Sequence, residues 1–288
     1  MTGNVMKPPD SPTGADDHLH LTKHHGAGND FLVLVDTSGS SPLDPVLVRS
    51  ACDRRFGVGA DGVIRITPGD GSADLGMELR NADGGVAEMS GNGMRCLAQA
   101  AVEAGLVPPT TFTVRTLAGV KSVDYRPGAT EGAADASVDM GLAVLGPDQP
   151  GALTGCSARL VDMGNPHLVI LVPDVAEVAV DEVGRRLQEE HPGGINVEFV
   201  ALGPGPDAIT LRVWERGVGE TLACGSGSAA AAAAAQRWGL VGERVAVHNP
   251  GGTLLVRLAP DGIRLEGPVR KVASLVVDPV ELLAAART

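Results

Sequence analysis

The chain has 288 residues, a formal net charge of −12, 43% hydrophobic residues and 4 cysteines. That length suits one large or two ordinary domains, and the apolar content is ample for a buried core. The acidic balance argues against nucleic acid or an anionic membrane as the main partner, but leaves room for a small-molecule site that is locally basic.

In chain order, residues 1–20, "MTGNVMKPPDSPTGADDHLH", hold no apolar stretch of the signal-peptide kind and read as a polar N-terminal extension. "FLVLVD" (31–36) reads as a strand. "SGNG" (90–93) opens an Ala-rich helix from about Met94 to Ala104. "LVILV" (168–172) is a second strand, and "CGSG" (224–227) opens a helix that is nearly all Ala up to Gln236. "VAVHNP" (245–250) is a further strand ending in a turn. Ala combines the best helix propensity with the least bulk. The second helix has no polar stripe for two turns, so it is expected to be buried all round, a thin helix wrapped by strands. Its longest apolar run, Ala229–Ala235, is too short to span a bilayer. Cys52, Cys96, Cys156 and Cys224 have no CxxC spacing, which suggests neither a zinc site nor a disulfide framework. Free thiols in a reducing cytoplasm are the simpler reading.

The chain reads as a duplication. Residues 87–107, "AEMSGNGMRCLAQAAVEAGLV", match residues 221–241, "TLACGSGSAAAAAAAQRWGLV", at Gly91/Gly225, Gly93/Gly227, Ala98/Ala232 and the shared ending Gly-Leu-Val. "GNDFLV" (28–33) pairs with "GNPHLV" (164–169), "LRNADG" (79–84) with "LRVWERG" (211–217), and "VRTLAGV" (114–120) with "VHNPGGT" (247–253). The order is the same in both halves, so the chain holds two similar units of roughly 130 residues, a domain length rather than a solenoid period.

The two glycine loops are candidate anion sites. Glycine lets successive N–H groups turn toward one point, and the helix start adds unpaired donors and the positive end of the dipole. Cys224 heads one loop and Ser90 the other. A thiol at a helix start is expected to have a lowered pKa, although a small buried cysteine is the commoner fate of a lone Cys. Two such heads on either side of a cleft would suit removal of a proton from one face of a carbon and delivery to the other.

"HHGAGNDF", "CDRRFGVGADGV", "NADGGVAEMSGNGMRC", "DMGNPH" and "VWERGVGETLACGSGSAA" together resemble the diaminopimelate epimerase family, from about Leu21 to Val277 and in the family's order. The resemblance implies an α+β fold of two pseudo-symmetric domains. Each is a mainly antiparallel, β-barrel-like sheet around a central helix, with the active site in the cleft between them. The expected division is an extension over 1–20, a first domain over 21–141 to which 275–288 return, and a second over 142–274. The implied reaction is cofactor-independent interconversion of LL- and meso-diaminopimelate, in lysine and peptidoglycan precursor synthesis, by a cytoplasmic homodimer. Cys224 matches one catalytic cysteine, and His167 and Glu215 match residues beside the thiols. Asn29, Asn81, Asn165 and Asn196 match substrate-binding asparagines. Gly91, Asn92, Gly225 and Ser226 match the cradle for the reacting carboxylate. Arg216, the only cation among the matched residues, is assigned to the distal carboxylate. A pyridoxal phosphate mechanism would need a Schiff-base lysine, and Lys7, Lys23, Lys121 and Lys271 lie in no such motif. No metal-ligand spacing occurs either.

Ser90 departs from the pattern, because the family's other cysteine should stand there. A hydroxyl lies several pKa units above a thiol's ~8.5, so Ser90 is a poor base and would need help from His167 or water. Three explanations stay open: a Cys→Ser replacement made to hold substrate, a natural Ser/Cys pair as in some of the related proline racemases, or a diverged substrate. The drift of the neighbouring "MRCLAQA" favours a natural variant. A diaminopimelate-binding protein that does not turn over is the alternative of a different class.

Overall fold

The computed structural model describes residues 18–150 and 152–285. The expected polar extension lies outside the described residues as far as position 17, and Leu19 and His20 already belong to the first strand.

The first half runs β1 (Leu19–Gly26), β2 (Asn29–Val35), α1 (Pro45–Cys52), β3 (Gly62–Pro68), β4 (Leu75–Asn81), α2 (Gly91–Glu103), β5 (Thr111–Thr116), β6 (Gly119–Pro127) and β7 (Ala133–Gly141). The second runs β8 (Val144–Asp148), β9 (Ser157–Asp162), β10 (Pro166–Leu171), α3 (Val180–Glu190), β11 (Asn196–Leu202), β12 (Ala208–Glu215), β13 (Gly219–Thr221), α4 (Gly225–Arg237), β14 (Arg244–Asn249) and β15 (Gly252–Ala259). The long β16 (Gly262–Val277) and α5 (Pro279–Ala285) complete the chain.

Strands β1 to β7 lie side by side in chain order, and β16 closes the ring by pairing with both β7 and β1. From β16 the sheet continues through β15, β14, β12, β11, β10, β9 and β8, with β13 appended to β12. Most pairings are antiparallel. The parallel ones, β2–β3 and β4–β5, recur in the second half as β10–β11 and β12–β14. Each requires a crossover, and α1, α2, α3 and α4 supply them in turn. Only α2 and α4 run inside the barrels. Every residue from Gly91 to Ala101 is buried, and so is every residue from Ala229 to Ala235. The fold is therefore the α+β pair of barrel-like sheets around central helices that the duplication and the resemblance led us to expect.

β16 ties the halves together. Its opening residues pair with β15, Ile263 to Arg270 pair with β7, and Arg270 to Val277 pair with β1. Leu265, on this strand, is fully buried beneath the starts of both central helices.

Candidate active site

The two central helices begin in the same way. Ser90 and Cys224 are their N-caps, with nearly equal extended backbone angles. The Gly93 N–H donates to Ser90 Oγ at 3.0 Å, and the Gly227 N–H donates to Cys224 Sγ at 3.4 Å. Each head group thus satisfies one of the unpaired donors of its helix. The two starts also touch. A Cβ on Gly225 would lie 3.0 Å from the Gly91 Cα and 3.2 Å from the Asn92 nitrogen, so only glycine allows this approach. Two positive dipole ends face one region from opposite sides, an arrangement suited to an anion between them.

A cavity of about 300 Å³ opens at this seam. Both heads line it, with Gly91, Gly225, Ser226, Asn29, Asn81, Asn165, Asn196, Glu215 and Arg216 from the sequence-derived set. Asn92 and His167 are fully buried and do not line it.

The four asparagines are not equivalent. Asn29 Nδ2 donates to Asp61 Oδ2 at 2.7 Å, and its Oδ1 accepts from Asn92. Asn196 Nδ2 donates to the Pro166 carbonyl, while its Oδ1 accepts from the Arg216 backbone N–H at 2.9 Å. Asn196 therefore holds the loop that carries Arg216. Asn165 Oδ1 and His167 Nε2 lie at hydrogen-bond distance, 3.0 Å apart, on the edge of the cavity. The Arg216 guanidinium has one weak partner, the Gly193 carbonyl at 3.4 Å, and is the only Arg or Lys side chain on the cavity wall.

The halves differ most behind the heads. Strand register makes Phe31 and Ile64 in the first half the counterparts of His167 and Glu198 in the second. Likewise Asn81 is the counterpart of Glu215, so the pairing of these two segments by their shared Leu-Arg is out of register by two residues. The Ser90 side is backed by apolar and neutral groups, the Cys224 side by carboxylates and a histidine. His167 Nδ1 donates to Glu198 Oε1 at 2.7 Å, and both residues are fully buried. Both nitrogens of His167 are taken, and neither reaches Ser90.

This asymmetry reverses one expectation. Cys224 was expected to have a lowered pKa from its place at a helix start. Instead burial, with the charges of Glu215 and Glu198, pushes the thiol well above its ordinary value. The Gly227 N–H and Ser226 Oγ, 3.6 Å from the sulfur, oppose this only in part. Desolvation outweighs the helix dipole because the thiolate would form without water among negative charges. Glu215 is itself pushed up to about 7, chiefly by burial, against hydrogen bonding from Thr221 Oγ1.

The sequence reading passed over three polar residues at or behind the site. Asp61 lines the cavity and binds Asn29 and Arg54, the latter at 2.8 Å. Glu198 backs Cys224, and its Oε2 has no partner. Arg95 lies fully buried in α2. The available signal for the last two was a lone charge inside an apolar run, "NVEFV" and "GMRCLA". No lysine lines the cavity, and no group of three or more His, Cys, Asp and Glu among the described residues is placed to hold a metal.

A family model described as diaminopimelate epimerase matches residues 21–145 and 159–272. The diaminopimelate epimerase of Corynebacterium glutamicum strain ATCC 13032 is 42% identical over 277 residues, covering 88% of this chain and 96% of that one. The enzyme of the same name from Desulforapulum autotrophicum is 40% identical over 260 residues, covering 83% and 90%. Among solved structures, a hydroxyproline epimerase from Agrobacterium vitis with bound trans-4-hydroxy-L-proline aligns with a TM-score of 0.71 at 18% identity. It covers 94% of this chain and 99% of that one. A Bacillus anthracis protein of the PhzF phenazine-biosynthesis family aligns with a TM-score of 0.69 at 16% identity, covering 90% and 99%. Those two likenesses establish a shared fold. With the family model spanning most of its length and relatives at this identity matched nearly end to end, the chain belongs to the diaminopimelate epimerase family.

Proposed function

We propose that the chain is a cofactor-independent epimerase that interconverts LL- and meso-2,6-diaminopimelate, in lysine and peptidoglycan precursor synthesis. The observation that carries this reading is the meeting of two capped helix starts, one headed by Cys224 and the other by Ser90, across one cavity. The substrate's reacting carboxylate would sit between the helix starts, at Gly91 and Asn92 on one side and Gly225 and Ser226 on the other. Their N–H groups would stabilise the carbanion formed when the weakly acidic α-proton leaves. Arg216 would take the distal carboxylate, with Asn81 and Asn165 donating beside it.

Glu215, hydrogen-bonded to Cys224 and raised to about 7, is the available acceptor for the thiol proton, in a transfer that is uphill because the thiol lies higher still. The Cys224 thiolate then takes the α-proton, and the C–H electron pair stays on the substrate. Ser90 donates its hydroxyl proton to the opposite face, and the proton held by Glu215 returns through water to the Ser90 alkoxide. In the other direction Ser90 would have to act as base, which is the harder task. The reading extends to a division into 21–141 with 275–288, and 142–274, and to a homodimer in the cytoplasm. The closure of the first barrel by β16 supports the return of the C-terminal segment to the first unit, but with a closing strand that starts at about Ile263 rather than at 275. The dimer and compartment rest on the family resemblance alone, and light scattering in solution tests the former.

Incubation with LL-diaminopimelate in heavy water decides the main point. An epimerase exchanges the α-hydrogen and produces the meso form, and Cys224→Ala abolishes both. Saturable binding with neither exchange nor inversion would identify instead the non-catalytic binding protein that Ser90 also allows. Absence of binding would remove diaminopimelate as the ligand.

A further inference from the structure

Arg95 occupies a place where packing alone would favour an apolar side chain. It is 0% exposed, in the second turn of α2. Among the described residues it forms no salt bridge with a carboxylate, and its Nε and Nη1 have no partner. Burial draws its pKa down to about 10, against the opposing charges of Cys96 and Asp135. The first barrel makes room for it with glycines: a Cβ on Gly26 of β1 would fall 2.6 Å from Nη2, and one on Gly267 of β16 would fall 3.3 Å from Cζ. A buried, unpaired cation is costly, and a methionine or leucine of similar volume would fill the same slot at less cost.

What Arg95 does make is one bond. Its Nη2 donates to Asn92 Oδ1 at 2.8 Å. Asn92, also fully buried, sends its Nδ2 to two acceptors: Asn29 Oδ1 at 3.1 Å and the Ala223 carbonyl at 3.0 Å. Ala223 immediately precedes Cys224 and belongs to the other half of the molecule. The amide of Asn92 has two orientations of nearly equal shape. A guanidinium can only donate, so it holds the amide oxygen on its own side. The amide nitrogen must then face Ala223 and Asn29. In the opposite orientation oxygen would meet oxygen at both places.

We propose that Arg95 is a positioning residue. Acting through Asn92, it pins the start of α4 against the start of α2 and so fixes Cys224 relative to Ser90. This inference rests on the epimerase reading for its effect on turnover, but its mechanical content does not. Without the donor to Ala223, Cys224 is freed from its place as helix cap, gains water and becomes more reactive toward alkylating agents.

The test compares Arg95→Met and Asn92→Asp with the parent. Arg95→Met removes the unpaired charge at similar volume. Asn92→Asp gives Arg95 a carboxylate partner but no longer donates to Ala223. Three quantities are measured: Tm, the iodoacetamide alkylation rate of Cys224 by peptide mapping without substrate, and kcat and KM for LL-diaminopimelate. Arg95→Met should keep or raise the parent Tm. Both should alkylate Cys224 at least tenfold faster, and Arg95→Met, which leaves the carboxylate cradle intact, should lower kcat at least tenfold with KM changed less than threefold. A large loss of Tm in Arg95→Met with unchanged alkylation in Asn92→Asp would make Arg95 merely structural and overturn the proposal. So would parent-like alkylation and kcat in both variants. If the parent does not turn over diaminopimelate, the functional reading fails, and the alkylation rates still decide the positioning role.

Discussion

At the scale of single residues, the molecule places unlike groups at two equivalent positions. Cys224 has Glu215 and Glu198 for neighbours, whereas their counterparts in the half that carries Ser90 are Asn81 and Ile64. Ser90→Cys should therefore put a thiol in front of Ile64 and Asn81 where Cys224 has Glu198 and Glu215. Turnover should rise at least roughly tenfold in both directions, about 1.4 kcal/mol of barrier. The check is kcat for LL- and meso-diaminopimelate under reducing conditions, and an equal or lower value would identify Ser90 as the tuned partner. Glu215 supports a second prediction. Its pKa is raised from the ordinary 4.5 to about 7, so between these values the folded chain keeps a proton that the unfolded chain has released. Stability conferred by that proton falls as pH rises through the window. Glu215→Gln removes the titration. The Tm of the variant should match the parent near pH 4.5 and exceed it by a growing margin up to pH 7, in ligand-free protein. A margin independent of pH would show that Glu215 does not titrate there. The alkylation and exchange experiments on Cys224 belong to this scale as well, since both report on one sulfur.

At the scale of elements, α4 is a helix with no outside until its last turn. Ala232 is fully buried, while Gln236 is exposed. Adding bulk at the first should force the surrounding strands apart, and adding it at the second should not. Ala232→Leu is expected to cost about 1–3 kcal/mol in urea denaturation, and Gln236→Leu within about 0.5 kcal/mol. Similar values at the two positions would mean that the barrel has slack around the helix. This helix was also the most legible part of the sequence, because its glycine start and Ala run are local signals. The other two crossover helices, α1 and α3, were not read at all, although each carried a mark. Asp44 caps α1 just before Pro45, and Val180, Val183 and Leu187 of α3 share one face. The site was legible to the extent that motifs carried it. Asn92 and His167 sit in those motifs but behind the wall, because a motif records neighbourhood and not which side chain faces the cavity. The Cys224 thiol shows the same limit. Its helix start is visible in four letters, but the carboxylates that outweigh it arrive on β11 and β12.

At the scale of the whole molecule, the duplication is incomplete as a mechanical division. The first barrel borrows its closing strand from the far end of the chain, and α5 beyond that strand packs on α1. Residues 18–141 alone would leave β1 and β7 as open edges, each a template for association with other chains. That fragment should be poorly soluble and lack a cooperative thermal transition. Joining residues 262–285 to its C-terminus should restore one, as followed by circular dichroism. A cooperative transition in the shorter fragment would show that the barrel tolerates the missing strand. The same shared strand couples unfolding of the halves, so the intact chain should melt in one step.

The placement of β16 also has a consequence for a chain as it leaves the ribosome. β1 emerges before the rest of its barrel, and the entire second half is translated between β7 and the strand that seals it. At about 5–20 residues per second, the first barrel waits on the order of ten seconds with two bare edges. Throughout that interval the nascent chain exposes hydrogen-bonding edges that only its own last strand can cover. Speed of elongation through the second half, and chaperone cover during it, therefore bear on the yield of active protein as directly as the stability of the finished fold.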